Sequence, residues 1–195
     1  MAVQPIEQII DRAIDEGIII LAAAGNEGSN FDIPFPSTME NVLCIGSAHG
    51  RGLSSEFNPP HRNVTEKYSA LGEHVVAAFF HETPFHEERQ ARSGSSIAVP
   101  VAAGIAANML EYITQMMDRP PGLEATLVMR KLFLAMSGAT RGENCRNLMP
   151  WDLFKHDKTQ NRQRISHVLE EYLATLTNFG ADHSFVGKTF HEHNS

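Results

Sequence analysis

With only two cysteines, Cys44 and Cys145, the 195-residue chain has no disulfide framework. Cys44 stands in the apolar stretch Val42-Leu43-Cys44-Ile45, where a thiol packs in a strand and stays inert. Basic runs are absent and the net charge is −7. That balance argues against nucleic acid or an anionic membrane surface as the main partner. No apolar run approaches the roughly 18 residues of a membrane span, so none is expected. Residues Met1 to Glu7 lack the basic start and apolar core of a secretory signal, which tilts the expected location towards the cell interior. What remains is ordinary for a globular core: 42% hydrophobic and 20% charged residues. The length suits one domain with an extension.

Along the chain, Pro5 to Glu16 reads as an amphipathic helix, with Ile6, Ile9, Ile10, Ala13 and Ile14 on one face. Pro5 opens it and Gly17 closes it. Ile18 to Ala24 is apolar without alternation, as in a strand buried on both faces of a parallel sheet. The polar Gly25-Asn26 step follows, at the strand end where open α/β sheets place their ligand crevice. Glu27 to Thr38 reads as a loop and Asn41 to Ser47 as a second buried strand. His49 to Tyr68 is polar and irregular, and Asn63-Val64-Thr65 within it is a glycosylation sequon of low specificity. His74 to Phe80 reads as a third strand, and His81 to Ala91 as a charged loop.

Arg92 to Gly104 is the stretch that organises the rest. A serine pair, Ser95-Ser96, follows Gly94 and runs into Ile97-Ala98-Val99-Pro100-Val101-Ala102-Ala103-Gly104. Proline is tolerated in a first helical turn, so Ser96 is expected at the N-terminus of a helix reaching about Met117. The small residues let that helix lie close to a neighbour. A hydroxyl at the positive end of a helix suits a nucleophile that passes through an oxyanion. Asp118 to Gly122 breaks the helix, and Leu123 to Met136 forms the next, with Leu127, Val128, Lys131, Leu132 and Ala135 as its stripe. Beyond it, Arg141 to Thr159 is turn-rich around Trp151. Asn161 to Asn178 is an amphipathic helix that needs a partner surface, in the same domain or another chain. The tail carrying His183, His191 and His193 reads as frayed.

Gly94-Ser95-Ser96-Ile97-Ala98-Val99-Pro100 resembles the nucleophile motif of the subtilisin-like serine proteases, peptidase family S8. Ala22-Ala23-Ala24-Gly25-Asn26 resembles the family's oxyanion segment, in the right order and at a fitting distance. Phe35 to Ser47 is similar to the segment that follows the oxyanion Asn, and Phe57-Asn58 echoes a Phe-Ser-Asn turn. The resemblance implies an α/β fold, a parallel sheet flanked by helices in three layers, incomplete at its N-terminal side. It implies that residues 1–140 are the C-terminal half of such a catalytic domain and that 141–195 are an extension with one amphipathic helix. It implies a serine endopeptidase working through an acyl-enzyme on Ser96, with Asn26 in the oxyanion hole and Ala23, Ala24 and Gly25 walling the substrate pocket. Peptides or proteins would be the substrates. No cofactor is required; the family allows calcium, and no ligand set for a metal is picked out here.

The family's order is Asp, His, oxyanion Asn and then Ser, and this sequence begins just before the third. No His precedes Asn26, and Asp11 and Asp15 lie on the first helix. His49, His61 and His74 stand where the family has no base. The family's corner after its third strand, an Ala-Pro-Gly, is replaced by Ala78-Phe79-Phe80. The chain is therefore expected to be a fragment or inactive alone, its missing half or another chain being the partner. The alternative is a non-catalytic pseudoprotease that binds partners through its open sheet edge or C-terminal helix. An α/β-hydrolase elbow is disfavoured, because Ala98 stands where that motif needs Gly.

Overall fold

In a computed structural model of the chain, residues 4–62, 64, 66–78, 89–115, 123–139 and 145–179 are described. Helix α1 spans Gln4–Asp15 and closes at Gly17, whose φ of +81° suits a residue without a Cβ. Its expected apolar face is only partly used: Ile14 is buried, while Ile6 and Ile9 stay 53% and 68% exposed.

Five strands make the main sheet, in the spatial order Leu21–Ala23, Leu43–Ala48, Lys67–Leu71, Cys145–Leu148, Ser137–Ala139. β1 is Leu21–Ala23, β2 is Leu43–Ala48 and β3 is Lys67–Leu71. These three pair in parallel, Leu21 against Leu43 and Cys44 against Lys67. Strands β4 (Val75–Ala78) and β5 (Arg89–Arg92) form a separate antiparallel pair. The third parallel strand is thus Lys67–Leu71, which starts in the last two residues of the stretch read as irregular; of the strand expected at 74–80, Val75–Ala78 belongs to the small sheet and residues 79–80 lie outside the described residues. β5 replaces the end of the expected charged loop. β1 is half-buried, unlike the doubly covered strand expected over 18–24, because it lies at a sheet edge with β2 as its one partner among the described residues.

Helix α2, Ser95–Thr114, lies across β1, β2 and β3. Ala98, Ala102, Ala106, Met109 and Ile113 recur at helical spacing and are buried. By length and composition α2 would suffice to cross a membrane, a match the residue-by-residue reading did not find; its buried stripe is packed on the sheet instead. The expected helix break at 118–122 lies outside the described residues.

Helix α3 is Leu123–Ala135, and its buried side is Ala125, Val128, Met129, Leu132, Phe133 and then Met136. The stripe is rotated from the expected one, and Lys131 faces solvent. β6 (Ser137–Ala139) and β7 (Cys145–Leu148) pair antiparallel, and β7 adds to β3 in parallel. After the short α4 (Pro150–Leu153), α5 (Lys158–Phe179) buries Ile165 and Leu169 in the core shared by α2, α3 and the sheet. The seam expected at residue 140 is therefore crossed by a strand pairing and by the core, and the surface that α5 needs lies within this chain.

The two sheet faces differ. Leu43, Ile45, Tyr68 and Ala70 face the α2 core, where Tyr68 meets Phe133 edge to face at 5.3 Å. On the other face Cys44 packs with Ala24, Ile33 and Val64, all from loops or strand ends.

Candidate active site

The site sits where the carboxyl end of β1 meets the amino end of α2. Gly94 caps α2 with φ +152° and ψ +158°, backbone that is accessible to glycine and to almost no other residue. That conformation lets the chain swing from β5 into the helix with no side chain at the turn. The carbonyl of Gly94 then accepts from the N–H groups of Ile97 (3.0 Å) and Ala98 (3.2 Å), starting the helix.

Asn26 and Ser96 converge on this turn. A Cβ placed on Gly94 would lie 3.4 Å from the Asn26 Nδ2, 3.4 Å from the Ser96 Oγ and 3.5 Å from the Asn26 Oδ1. The amide of one motif and the hydroxyl of the other thus flank one point, although 70 positions of chain separate them. Ser96 is exposed, as a nucleophile has to be, and its N–H belongs to the first turn of α2, where helical N–H groups have no carbonyl one turn back. Such N–H groups, with the helix dipole, favour negative charge.

Asn26 is held by its neighbours. The Ser95 N–H donates to its Oδ1 at 2.7 Å and the Ser95 hydroxyl at 3.1 Å, while the Gly25 N–H donates to the Ser95 Oγ at 3.2 Å. The Asn26 N–H donates to the Glu27 carboxylate at 2.9 Å. Gly25, with φ +100°, makes the bend after Ala24. Ala23 is half-buried and its carbonyl accepts from the Ser37 hydroxyl at 2.6 Å. Ala24 is fully buried against Ile33 and Cys44. Of the three expected wall residues, Gly25 hydrogen-bonds directly to Ser95.

Sequence reasoning missed Ser95, whose side chain is fully enclosed and links both motifs. Its signal was the unused first serine of the pair. It also missed the corner that supports the turn. The third parallel strand leads into Gly72-Glu73-His74, and His74 takes a left-handed φ of +54°. Gly72 accepts from the Gly94 N–H at 2.8 Å, and the His74 N–H donates to the Ser93 Oγ at 3.0 Å. A corner is thus present after β3; the one expected to be lost at Ala78-Phe79-Phe80 reaches residues 79–80, which lie outside the described residues.

No base stands at Ser96 among the described residues. His49 Nδ1 accepts from the Arg51 N–H, and the exposed His74 ring lies 4.0 Å from Glu73. No described His donates to or accepts from Ser96. His81, His86 and the tail histidines lie outside the described residues. Among the described residues no three His, Cys, Asp or Glu side chains gather on a point.

The subtilase family model matches residues 2–167. Subtilisin DY of Bacillus licheniformis is 27% identical over 130 residues, 65% of this chain and 42% of that protein. The extracellular basic protease of Dichelobacter nodosus is 27% identical over 103 residues, 52% of this chain and 17% of that protein. Among solved structures, the prenylagaramide maturation protease PagA superposes with a TM-score of 0.64 at 22% identity, over 78% of this chain and 55% of its own. The PatG macrocyclase domain gives 0.55 at 28% identity, over 68% and 39%. The chain spans less than half the length of these curated relatives and about half of PagA. A sheet crossed by α2, whose amino end meets the carboxyl end of β1, the two motifs that meet there and the family match over most of the chain agree: the chain belongs to the subtilase family of serine peptidases, S8.

Proposed function

We propose that Ser96 is the nucleophile of a peptide-bond hydrolase and that Asn26 is its oxyanion donor. The observation that carries this is the shared point beside Gly94, which the Asn26 amide and the Ser96 hydroxyl both approach within 3.4 Å. In this reading the Ser96 Oγ bonds to the peptide carbonyl carbon and gives its proton to a base. The carbonyl oxygen becomes an oxyanion between the Asn26 Nδ2 and the first-turn N–H groups of α2. The C–N bond then breaks, the base returns the proton to the leaving amine, and water releases the acyl group from Ser96. No base or orienting acid reaches Ser96 among the described residues, so in this reading both come from another polypeptide, and this chain without it is a poor catalyst.

A second reading rests on its own observation. Ile6, Ile9 and Ile18 are half or more exposed, and the outer edge of β1 has no partner among the described residues. Such a surface binds another polypeptide whether or not Ser96 reacts.

Fluorophosphonate labelling with added imidazole separates the two. Imidazole supplies the missing base, so labelling of the folded chain should rise with imidazole concentration and vanish in Ser96→Ala. Labelling elsewhere, or none at Ser96 in the folded chain at high imidazole, would leave the binding reading alone standing.

A further inference from the structure

We infer that Ser95 is a positioning residue that fixes which end of the Asn26 amide faces the nucleophile; this rests on the site reading above. An Asn side chain has a donor end and an acceptor end of nearly equal size. Only the donor end stabilises an oxyanion, and the acceptor end would repel it. Asn26 is exposed, so packing alone does not choose between them.

Ser95 makes the choice. Its N–H and its hydroxyl both donate to the Asn26 Oδ1, at 2.7 and 3.1 Å, which fills that oxygen's two lone pairs. Its Oγ accepts from the Gly25 N–H at 3.2 Å, so the hydroxyl proton is directed away from Gly25 and towards Asn26. Ser95 is 0% exposed, which keeps water from competing. Both ends lie near the point beside Ser96, Nδ2 at 3.4 Å and Oδ1 at 3.5 Å, and with Oδ1 engaged twice Nδ2 is the end left to donate there. The relay from the Gly25 N–H through the Ser95 hydroxyl to Asn26 ties the end of β1 to the start of α2. Only a residue that both accepts and donates at this place serves it. Thr satisfies this, whereas Ala and Val do not.

The test is the side-chain NH₂ resonance pair of Asn26 in the ¹⁵N-labelled full chain, identified by its loss in Asn26→Asp. Ser95→Ala keeps the backbone N–H on Oδ1 and loses the hydroxyl bond, so it should move the pair part of the way towards the position of a free amide and speed its exchange with water, and Ser95→Thr should restore it. Ser95→Val has the shape of Thr without the hydroxyl and should behave like Ser95→Ala. It carries the test if the Ala variant loses its fold. A Val variant indistinguishable from Thr, or an unmoved pair in Ser95→Ala, would overturn the inference. In imidazole-assisted labelling of Ser96, the Ala and Val variants should slow by about ten-fold, the scale of one hydrogen bond. The amide pair is read without any reaction at Ser96, so failure of the peptidase reading and failure of this inference are told apart.

Discussion

Gly72 and Gly94 meet backbone to backbone: the Gly94 N–H donates to the Gly72 carbonyl at 2.8 Å, and a Cβ on Gly72 would fall 2.8 Å from the Gly94 carbonyl oxygen. The same Cβ would lie 2.6 Å from the Ser47 Oγ and 2.9 Å from the Ala98 Cβ. The end of β3 therefore supports the turn that presents Ser96, and the support requires a residue without a side chain. Gly72→Ala should destabilise the fold by about 1–3 kcal/mol, the usual cost of an overpacked site. It should also slow imidazole-assisted labelling of Ser96 by more than Gly104→Ala does, since a Cβ on Gly104 would enter open space. Equal effects of the two substitutions would show that the corner does not support the turn.

This corner was not legible in the sequence, and the reason is specific. β3 reads Lys67-Tyr68-Ser69-Ala70-Leu71, with polar side chains on the face away from α2. A polar face of that kind reads as exposed. Here it is buried because its groups are satisfied locally: Lys67 donates to the Pro59 carbonyl at 2.6 Å, and Ser69 reaches Asn147 at 3.5 Å. β7, Cys145-Arg146-Asn147-Leu148, was obscured likewise and is recognisable only through its pairing with β3. By contrast β2 and α2 were plain, because continuous burial and the 98-102-106-109-113 spacing leave their mark on residue type. At the site, Ser96 and Asn26 were legible from motifs, but Ser95 was not, since its role exists only once residues 25 and 95 are brought together.

Asn58 pairs with Ser47 as a strand would. The Ser47 N–H donates to the Asn58 Oδ1 at 2.8 Å, and the Asn58 Nδ2 donates to the Ser47 carbonyl at 2.6 Å and to the Ser54 Oγ at 2.8 Å. Asn58→Ala leaves the buried Ser47 N–H without a partner, at about 1–3 kcal/mol, while the Ser47 carbonyl keeps the Ser55 N–H at 3.0 Å. Asn58→Asp keeps the acceptor but sets a carboxylate against a carbonyl oxygen. Both should lower the urea midpoint, with Asp no better than Ala; an Asp variant close to wild type would refute the pairing.

Alkaline solution should weaken the fold through two buried acids. Burial pushes the Cys44 thiol up from 9.0 to about 12, Lys67 pulling the other way and Cys145 adding to the rise. Burial, then the hydrogen bond and charge of Glu66, raise the Tyr68 phenol well above its ordinary value. Both groups hold their protons more tightly folded than unfolded. Their contribution is whole below the unfolded values, about 9 to 10, and is lost as pH climbs towards the folded ones. Urea midpoints should therefore fall from about pH 9 upwards, and Cys44→Val should make the fall shallower. A flat profile over that range would contradict the burial of both groups.

Lys67 is 2% exposed, and among the described residues its ammonium has the Pro59 carbonyl and no carboxylate. Burying a charge is costly, and a well-packed apolar residue of similar length often replaces it without loss. Lys67→Met should consequently change stability little, whereas Lys67→Ala opens a cavity beside Pro59 and should cost about 2–4 kcal/mol. The Met variant should also raise the Cys44 thiol further, since Lys67 is the group that lowers it. Thiol alkylation of the native chain as pH rises reads this: it should lag wild type in Lys67→Met.

Asn26→Asp separates the two ends of that side chain. Asp keeps an oxygen where Ser95 donates, so the bonds at 2.7 and 3.1 Å are retained and the fold should hold. What disappears is the Nδ2 donor beside Ser96, replaced by a negative charge that opposes an oxyanion. Asn26→Leu loses both ends and leaves the buried Ser95 donors unpaired, so it should destabilise the chain by about 1–3 kcal/mol as well. In imidazole-assisted labelling, both should slow Ser96 by roughly 10²–10³, a magnitude known from removing such a donor in a subtilisin and carried over as such. The two should differ in thermal midpoint, with Asp above Leu. Should Asp label as fast as wild type, the Asn26 amide is a structural brace for Ser95 and the oxyanion is held elsewhere.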